Sequence, residues 1–188
     1  MPKIINDIEE RIFVSAFNLF SKHGYKKVDM KIIAEESGIA VGTLYNYHPN
    51  KKSLFIDVFN KSWAETFEKL DLVLRNDAAK MDKINSFVRV LYDEILKRKG
   101  MGNELIKTSI IKREEGYIKG ELLSRLKQML SMKEEVDYIL ECKYEERLLE
   151  TILVSFITMM MEHPDEEEDN INYLSNLLWN IYVNIEHY

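Results

Sequence analysis

From Asp7 onward, apolar residues fall at Ile8, Ile12, Ala16, Leu19 and Phe20, with Phe13 and Phe17 widening the stripe. That spacing predicts an amphipathic helix. Asp7, Glu9 and Glu10 sit where a helix dipole favours negative charge, and Lys22-His23-Gly24 ends the stripe with cations and a glycine suited to a left-handed cap. Asp29 is a good N-cap for a second helix running through Ile32, Ile33 and Ala34 to Ser37. Gly38 then allows a sharp turn before Ile39. A third helix, only about two turns long, covers Val41 to Tyr47 and is stopped by Pro49. Asn50 caps a fourth, with apolar positions at Leu54, Phe55, Val58, Phe59, Trp63, Phe67 and Leu70.

The third helix has one strong inward anchor, Leu44. Its other side is polar or small, with Gly42, Thr43, Asn46 and Tyr47. So short a helix is poorly stable alone and depends on its neighbours. It offers an open face of hydrogen-bonding groups, which suits insertion into a major groove. Small Ala34 permits a close helix crossing, and Gly38 permits the joint.

No Pro/Gly linker follows the fourth helix, so it is expected to run on from the first part into the rest and to give a physical route for signalling. Helical periods reappear at Ile84, Phe87, Val88, Leu91 and Ile95, ending at Lys97-Arg98-Lys99-Gly100. Further segments run over 103–112, 117–130 and 134–142. Gly100, Gly102, Gly116 and Gly120 interrupt this middle region, and imperfect joints between helices leave room for a pocket. Phe87, Leu91, Met101, Leu105, Tyr117, Leu126, Phe156 and Met160 are candidate liners, although each also fits ordinary core. Met159-Met160-Met161 reads as adaptable core or interface.

Two long helices are expected at about 143–162 and 167–186, joined by His163-Pro164-Asp165. The first carries Leu148, Leu149, Ile152, Leu153, Phe156, Ile157 and Met160. The second carries Ile171, Leu174, Leu177, Leu178, Ile181 and Ile185, with Trp179 and Tyr182. Both apolar faces are wider than one core requires. Pairing with a second copy as a four-helix bundle covers the excess.

Composition narrows the class. With 46% hydrophobic and 31% charged residues, the 188-residue chain reads as folded, and seven glycines and three prolines favour an all-helical architecture. No apolar run reaches the roughly 18 residues of a membrane span, and the N-terminus shows no signal-peptide pattern. Cys142 is the single cysteine, which excludes an intrachain disulfide. These features read as cytoplasmic.

The net charge of -6 speaks against nucleic acid until its distribution is considered. Residues 1–63 carry nine Lys/Arg against seven Asp/Glu, whereas the remainder carries seventeen against twenty-five. Lys22, Lys26, Lys27, Lys31, Lys51 and Lys52 surround the short helices, and a local basic face is what phosphate contact needs.

Several motifs occur in order: Arg11-Ile12-Phe13-Val14-Ser15-Ala16-Phe17-Asn18-Leu19-Phe20, Gly24-Tyr25, Ile33-Ala34-Glu35-Glu36-Ser37-Gly38-Ile39, Gly42-Thr43-Leu44-Tyr45-Asn46-Tyr47 and Asn50-Lys51-Lys52-Ser53-Leu54. Over about residues 8–60 this run resembles the TetR family of regulators. The resemblance implies a three-helix helix-turn-helix domain over 1–50. A continuous helix from about 50 to 75 would link it to an effector-binding and dimerising bundle over 76–188. It further implies that Val41, Gly42 and Thr43 approach base edges, that Tyr45 and Tyr47 touch phosphate or thymine methyl groups, and that Asn46 belongs to the same DNA-binding face. Lys51 matches a phosphate-binding lysine at the start of the fourth helix, and Lys31 could reach a base or phosphate. A homodimer through the last two helices would meet a palindromic double-stranded operator. Repression relieved by a small molecule is what the family usually does, and the candidate liners suggest an apolar or aromatic effector.

Three positions depart from the family pattern. Val28-Asp29 replaces a pair of threonines, Ala40 replaces a capping serine, and His48 replaces a phenylalanine whose space its ring can fill. His23, His48, His163 and His187 are scattered, and no nucleophile elbow, phosphate-cradling loop or zinc pair occurs. No catalytic residue, cofactor or metal site is therefore expected. A helical interaction module, or a small-molecule-binding protein without DNA binding, is the alternative.

Overall fold

The computed structural model describes residues 3–99, 101, 112–130 and 145–185. Among them the regular structure is entirely helical. It comprises α1 (Lys3–Lys27), α2 (Met30–Glu36), α3 (Val41–Tyr47), α4 (Lys51–Arg75), α5 (Lys80–Lys97), α6 (Lys112–Leu130), α7 (Glu145–Glu162) and α8 (Glu167–Ile185). The segments expected over 103–112 and 134–142 fall almost wholly outside the described residues, as does Cys142. Internal contacts divide the chain into two compact units. The first runs to Glu65 and includes the described part of 97–115; the second holds Thr66–Leu96 and the described part from Gly116 onward.

In the first unit, α1 packs its expected stripe inward, with Ile12, Ala16 and Phe20 fully buried. Gly24 adopts φ 75°, as its glycine identity suggests, but the helix continues to Lys27 across a kink instead of ending there. Phe20, Tyr25 and Phe55 form an edge-on cluster, with Phe55 centred 5.0 Å from Phe20 and 5.1 Å from Tyr25. Lys61 of α4 ties back to α1, 2.6 Å from Glu10 and over the Phe13 ring. Buried Arg98 donates from Nε to the Ser62 hydroxyl at 2.9 Å and from Nη2 to the Ser62 carbonyl, with its guanidinium over Trp63.

All seven apolar positions read on α4 are buried, and that single helix contributes to both units. The core of the second unit draws on α5 (Ile84, Phe87, Val88, Leu91, Tyr92), α6 (Ile118, Leu122, Leu126, Met129) and α7 and α8. Each large side chain taken fully from water there contributes about 1.5–3 kcal/mol. Buried Glu94 pairs with Lys69 at 2.6 Å and accepts from Thr66 at 3.3 Å, which keeps its charge from being stranded. Buried Asn170, on α8, donates to the His163 carbonyl and the Tyr92 hydroxyl and so pins the α7–α8 turn. No helix among the described residues is long and apolar enough to cross a membrane.

Candidate nucleic-acid interface

The joint between α2 and α3 is built almost entirely from local chemistry. Asp29 caps α2, its carboxylate accepting from the Ile32 amide at 2.9 Å. At the other end the Ile39 amide reaches the Ala34 carbonyl and the Gly38 amide reaches the Glu35 carbonyl, each at 3.0 Å. That pair of bonds is a Schellman closure, and Gly38 occupies its left-handed position with φ 63°. The Ser37 hydroxyl bonds the Ile33 carbonyl at 2.7 Å. From α1, the Arg11 guanidinium donates to the Ser37 and Gly38 carbonyls, so a cation caps the negative end of α2 and locks the turn.

Helix α3 starts at Ala40 without a side-chain cap. Leu44 is its single buried residue. Val41, Gly42, Tyr45 and Asn46 are exposed, Thr43 and Tyr47 are half-buried, and Lys31 on α2 is exposed. The helix stops at His48, whose extended backbone (φ -133°, ψ 112°) is what the following Pro49 imposes. The His48 ring does more than fill space, because Nδ1 lies 3.1 Å from the Asp57 carboxylate on α4. Among the described residues no three potential ligands cluster to hold a metal ion.

Lys51 sits differently from a free phosphate ligand. Its ammonium donates to the carbonyls of Tyr25 and Val28, each at 2.8 Å, and lies 4.2 Å from the centre of the Tyr25 ring. Two of its three donors therefore close the α1–α2 connection, leaving one for an external anion. Asn50 caps α4 as expected, accepting from the Ser53 amide at 2.9 Å. The Arg11 clamp, the Lys51 staple and the His48–Asp57 pair carry no local sequence signal. Two of the three join residues 23 to 27 apart along the chain.

In the second unit a narrow crevice with about 10 Å³ of free space is lined by Phe87, Leu91, Leu122, Leu126, Leu149, Ile152, Leu153 and Leu178. Three of the candidate liners, Phe87, Leu91 and Leu126, meet here. Phe156 and Met160 are buried but do not line it. Tyr117 stands 63% exposed, Met101 is buried in the first unit, and Leu105 lies outside the described residues.

Residues 12–58 match the family model of bacterial regulatory proteins of the tetR family, a stretch that contains the whole α2–turn–α3 joint. That stretch of the chain is similar to the DNA-binding part of the tetR family. The chain is 40% identical over 62 residues to the transcriptional repressor KstR of Rhodococcus jostii (strain RHA1), covering 33% of this chain and 27% of that one. It therefore spans just over a quarter of that relative's length. Over most of the chain the likeness is one of fold. The fatty acid degradation regulator FadR of Bacillus halodurans superposes with a TM-score of 0.70 at 16% identity, covering 90% of this chain and 97% of that one. FadR of Bacillus subtilis, solved in complex with stearoyl-CoA, gives 0.69 at 18% identity, covering 93% and 97%.

Proposed function

We propose that this protein is a TetR-family, cytoplasmic, sequence-specific DNA-binding transcriptional regulator: a repressor that leaves its palindromic operator when a small molecule binds. The observation that carries the reading is the state of α3. Its one buried side chain holds it in place, while Val41, Gly42, Tyr45 and Asn46 stand exposed and present hydrogen-bonding and apolar groups together. Exposed Lys22, Lys26, Lys27, Lys31 and Lys52 supply cations for phosphate contact in the same unit. Residues 1–50 are assigned to DNA binding, α4 to the link, and 76–188 to effector binding and dimerisation.

The α7 and α8 helices support the dimer. Val154, Ile157 and Met161 recur on α7 at spacings of three and four, and Tyr173 adds an exposed ring on α8. In a second copy these residues find the apolar cover that one chain does not provide. For the effector, the crevice walls are wholly aliphatic and aromatic, and its free space of about 10 Å³ falls far below the roughly 300–1,000 Å³ of a formed ligand pocket. An apolar effector such as a long acyl chain, of the kind carried by the stearoyl-CoA of the Bacillus subtilis protein, must therefore part α5 to α8 to enter. That demand makes binding and conformational change one event.

The test is a mobility shift with DNA upstream of the protein's own gene, at low salt, with and without a panel of acyl-CoA esters. A retarded species that survives excess unrelated DNA is expected, and an active ester abolishes it. Absence of any retardation at low salt would overturn the assignment.

A further inference from the structure

The exposed chemistry of α2 and α3 fixes more than the fact of DNA binding. Bidentate guanine recognition calls for Arg or Lys aimed at O6 and N7. Helix α3 has neither, and Lys31 is the sole cation on α2. Beside polar Lys31, Glu35, Glu36 and Asn46, these helices expose large apolar side chains: Ile32 is 42% exposed, Val41 36% and Tyr45 48%. Water-facing Ile32 and Val41 lie off the buried lines of their helices, Met30, Ile33 and Ala34 on α2 and Leu44 on α3. In the major groove the apolar group awaiting them is the thymine 5-methyl, which marks A·T pairs. Exposed Asn46 adds the side chain that bonds adenine N6 and N7 in bidentate fashion. At Gly42 an added Cβ would meet no protein atom within 4 Å, so internal packing does not require glycine there.

We infer that α3 reads an A·T-rich half-site, with Val41 and Tyr45 on thymine methyls and Asn46 on adenine, and that any guanine contact comes from Lys31. This inference rests on the DNA-binding reading above. The flanking lysines set charge complementarity with the duplex but carry no base information.

The experiment begins with selection of binding sequences from a random duplex library by the full-length protein. The expected product is an inverted repeat whose half-site core is A·T. Each thymine of the selected duplex is then replaced singly by deoxyuridine, which removes the 5-methyl and leaves the pairing edge intact. At one or two positions per half-site, Kd should rise about fourfold, the scale of one buried methylene-sized group. In the Val41→Ala protein one of those positions should become insensitive to uracil. Val41 is exposed, so that variant retains its fold. Enrichment of a G·C core, or a selected site indifferent to every uracil substitution, overturns the inference while leaving DNA binding standing. Failure to enrich any sequence overturns the DNA-binding reading and this inference with it.

Discussion

Replacing Lys51 with alanine separates a structural lysine from a phosphate ligand. In the structure the ammonium makes two 2.8 Å bonds to main-chain carbonyls and covers the Tyr25 ring. Hydrogen bonds to a charged group contribute about 1.5–3 kcal/mol each and an exposed cation–π contact about 0.5–1. The site is half-buried, so water recovers part of this. A net loss of about 2–4 kcal/mol follows from those figures after that discount. Alanine is a good helix former, so helix propensity at the first residue of α4 adds no penalty. For a chain of this size each kcal/mol moves Tm by roughly 2–4 °C, which makes the expected fall about 4–16 °C. Thermal unfolding measures it, and hydrogen exchange localises it: amides from Tyr25 to Leu54 should exchange faster. Lys51→Met, which keeps the stem, should behave nearly as Lys51→Ala. If Tm stays within a degree of the parent while the slope of log affinity against log salt drops by about one per half-site, the ammonium serves the phosphate and the staple argument is wrong.

Gly38→Ala should destabilise by about 1–3 kcal/mol, because alanine resists a left-handed backbone and its Cβ would sit 2.7 Å from Arg11 Nη2, displacing the clamp. Gly38→Asn, which tolerates that backbone better, should recover part of the loss in urea unfolding; equal stability of Gly38→Ala and the parent would refute the turn geometry. Arg89 grips Glu168 through two 2.7 Å bonds, and the hydrogen bonds from Arg89 hold the Glu168 carboxyl below its ordinary 4.5. A depressed carboxyl contributes its stability above the unfolded value and loses it as pH falls through the folded one. The stability gap between parent and Glu168→Gln should therefore be open at neutral pH and shrink as the pH falls below the ordinary carboxyl value, and a gap that widens on acidification would contradict the pairing. Met161→Asp alters a side chain that is 67% exposed in one chain, so its fold survives. Sedimentation should show a smaller species than the parent with weakened operator binding, and an unchanged species would remove α7 from the dimer surface.

How legible each element was depends on where its instructions lie. Asp29, Gly38, Pro49 and Asn50 act within four residues of themselves, and the bounds of α2, α3 and the start of α4 fall where those residues place them. Gly24 shows the limit of that logic, since a glycine specifies positive φ but not whether helical bonds resume beyond it. The crevice was only half readable. On α6 the buried line is Ile118, Leu122, Leu126 and Met129, and Tyr117 lies one residue, hence about 100°, off that line. Leu149, Ile152, Leu153 and Leu178 complete the walls because of how α5 to α8 pack, which no single-helix period encodes. The Arg11 and Lys51 contacts likewise depend on chain segments brought together only by folding.

Helix α3 is committed to the protein's interior at Leu44 alone. Selection can therefore rewrite its outward letters without renegotiating the fold, and a duplicated copy of this gene could drift to a new control site in a handful of steps. The same looseness makes the element a practical place to graft another protein's reading head while Arg11, Gly38 and Lys51 keep the socket intact.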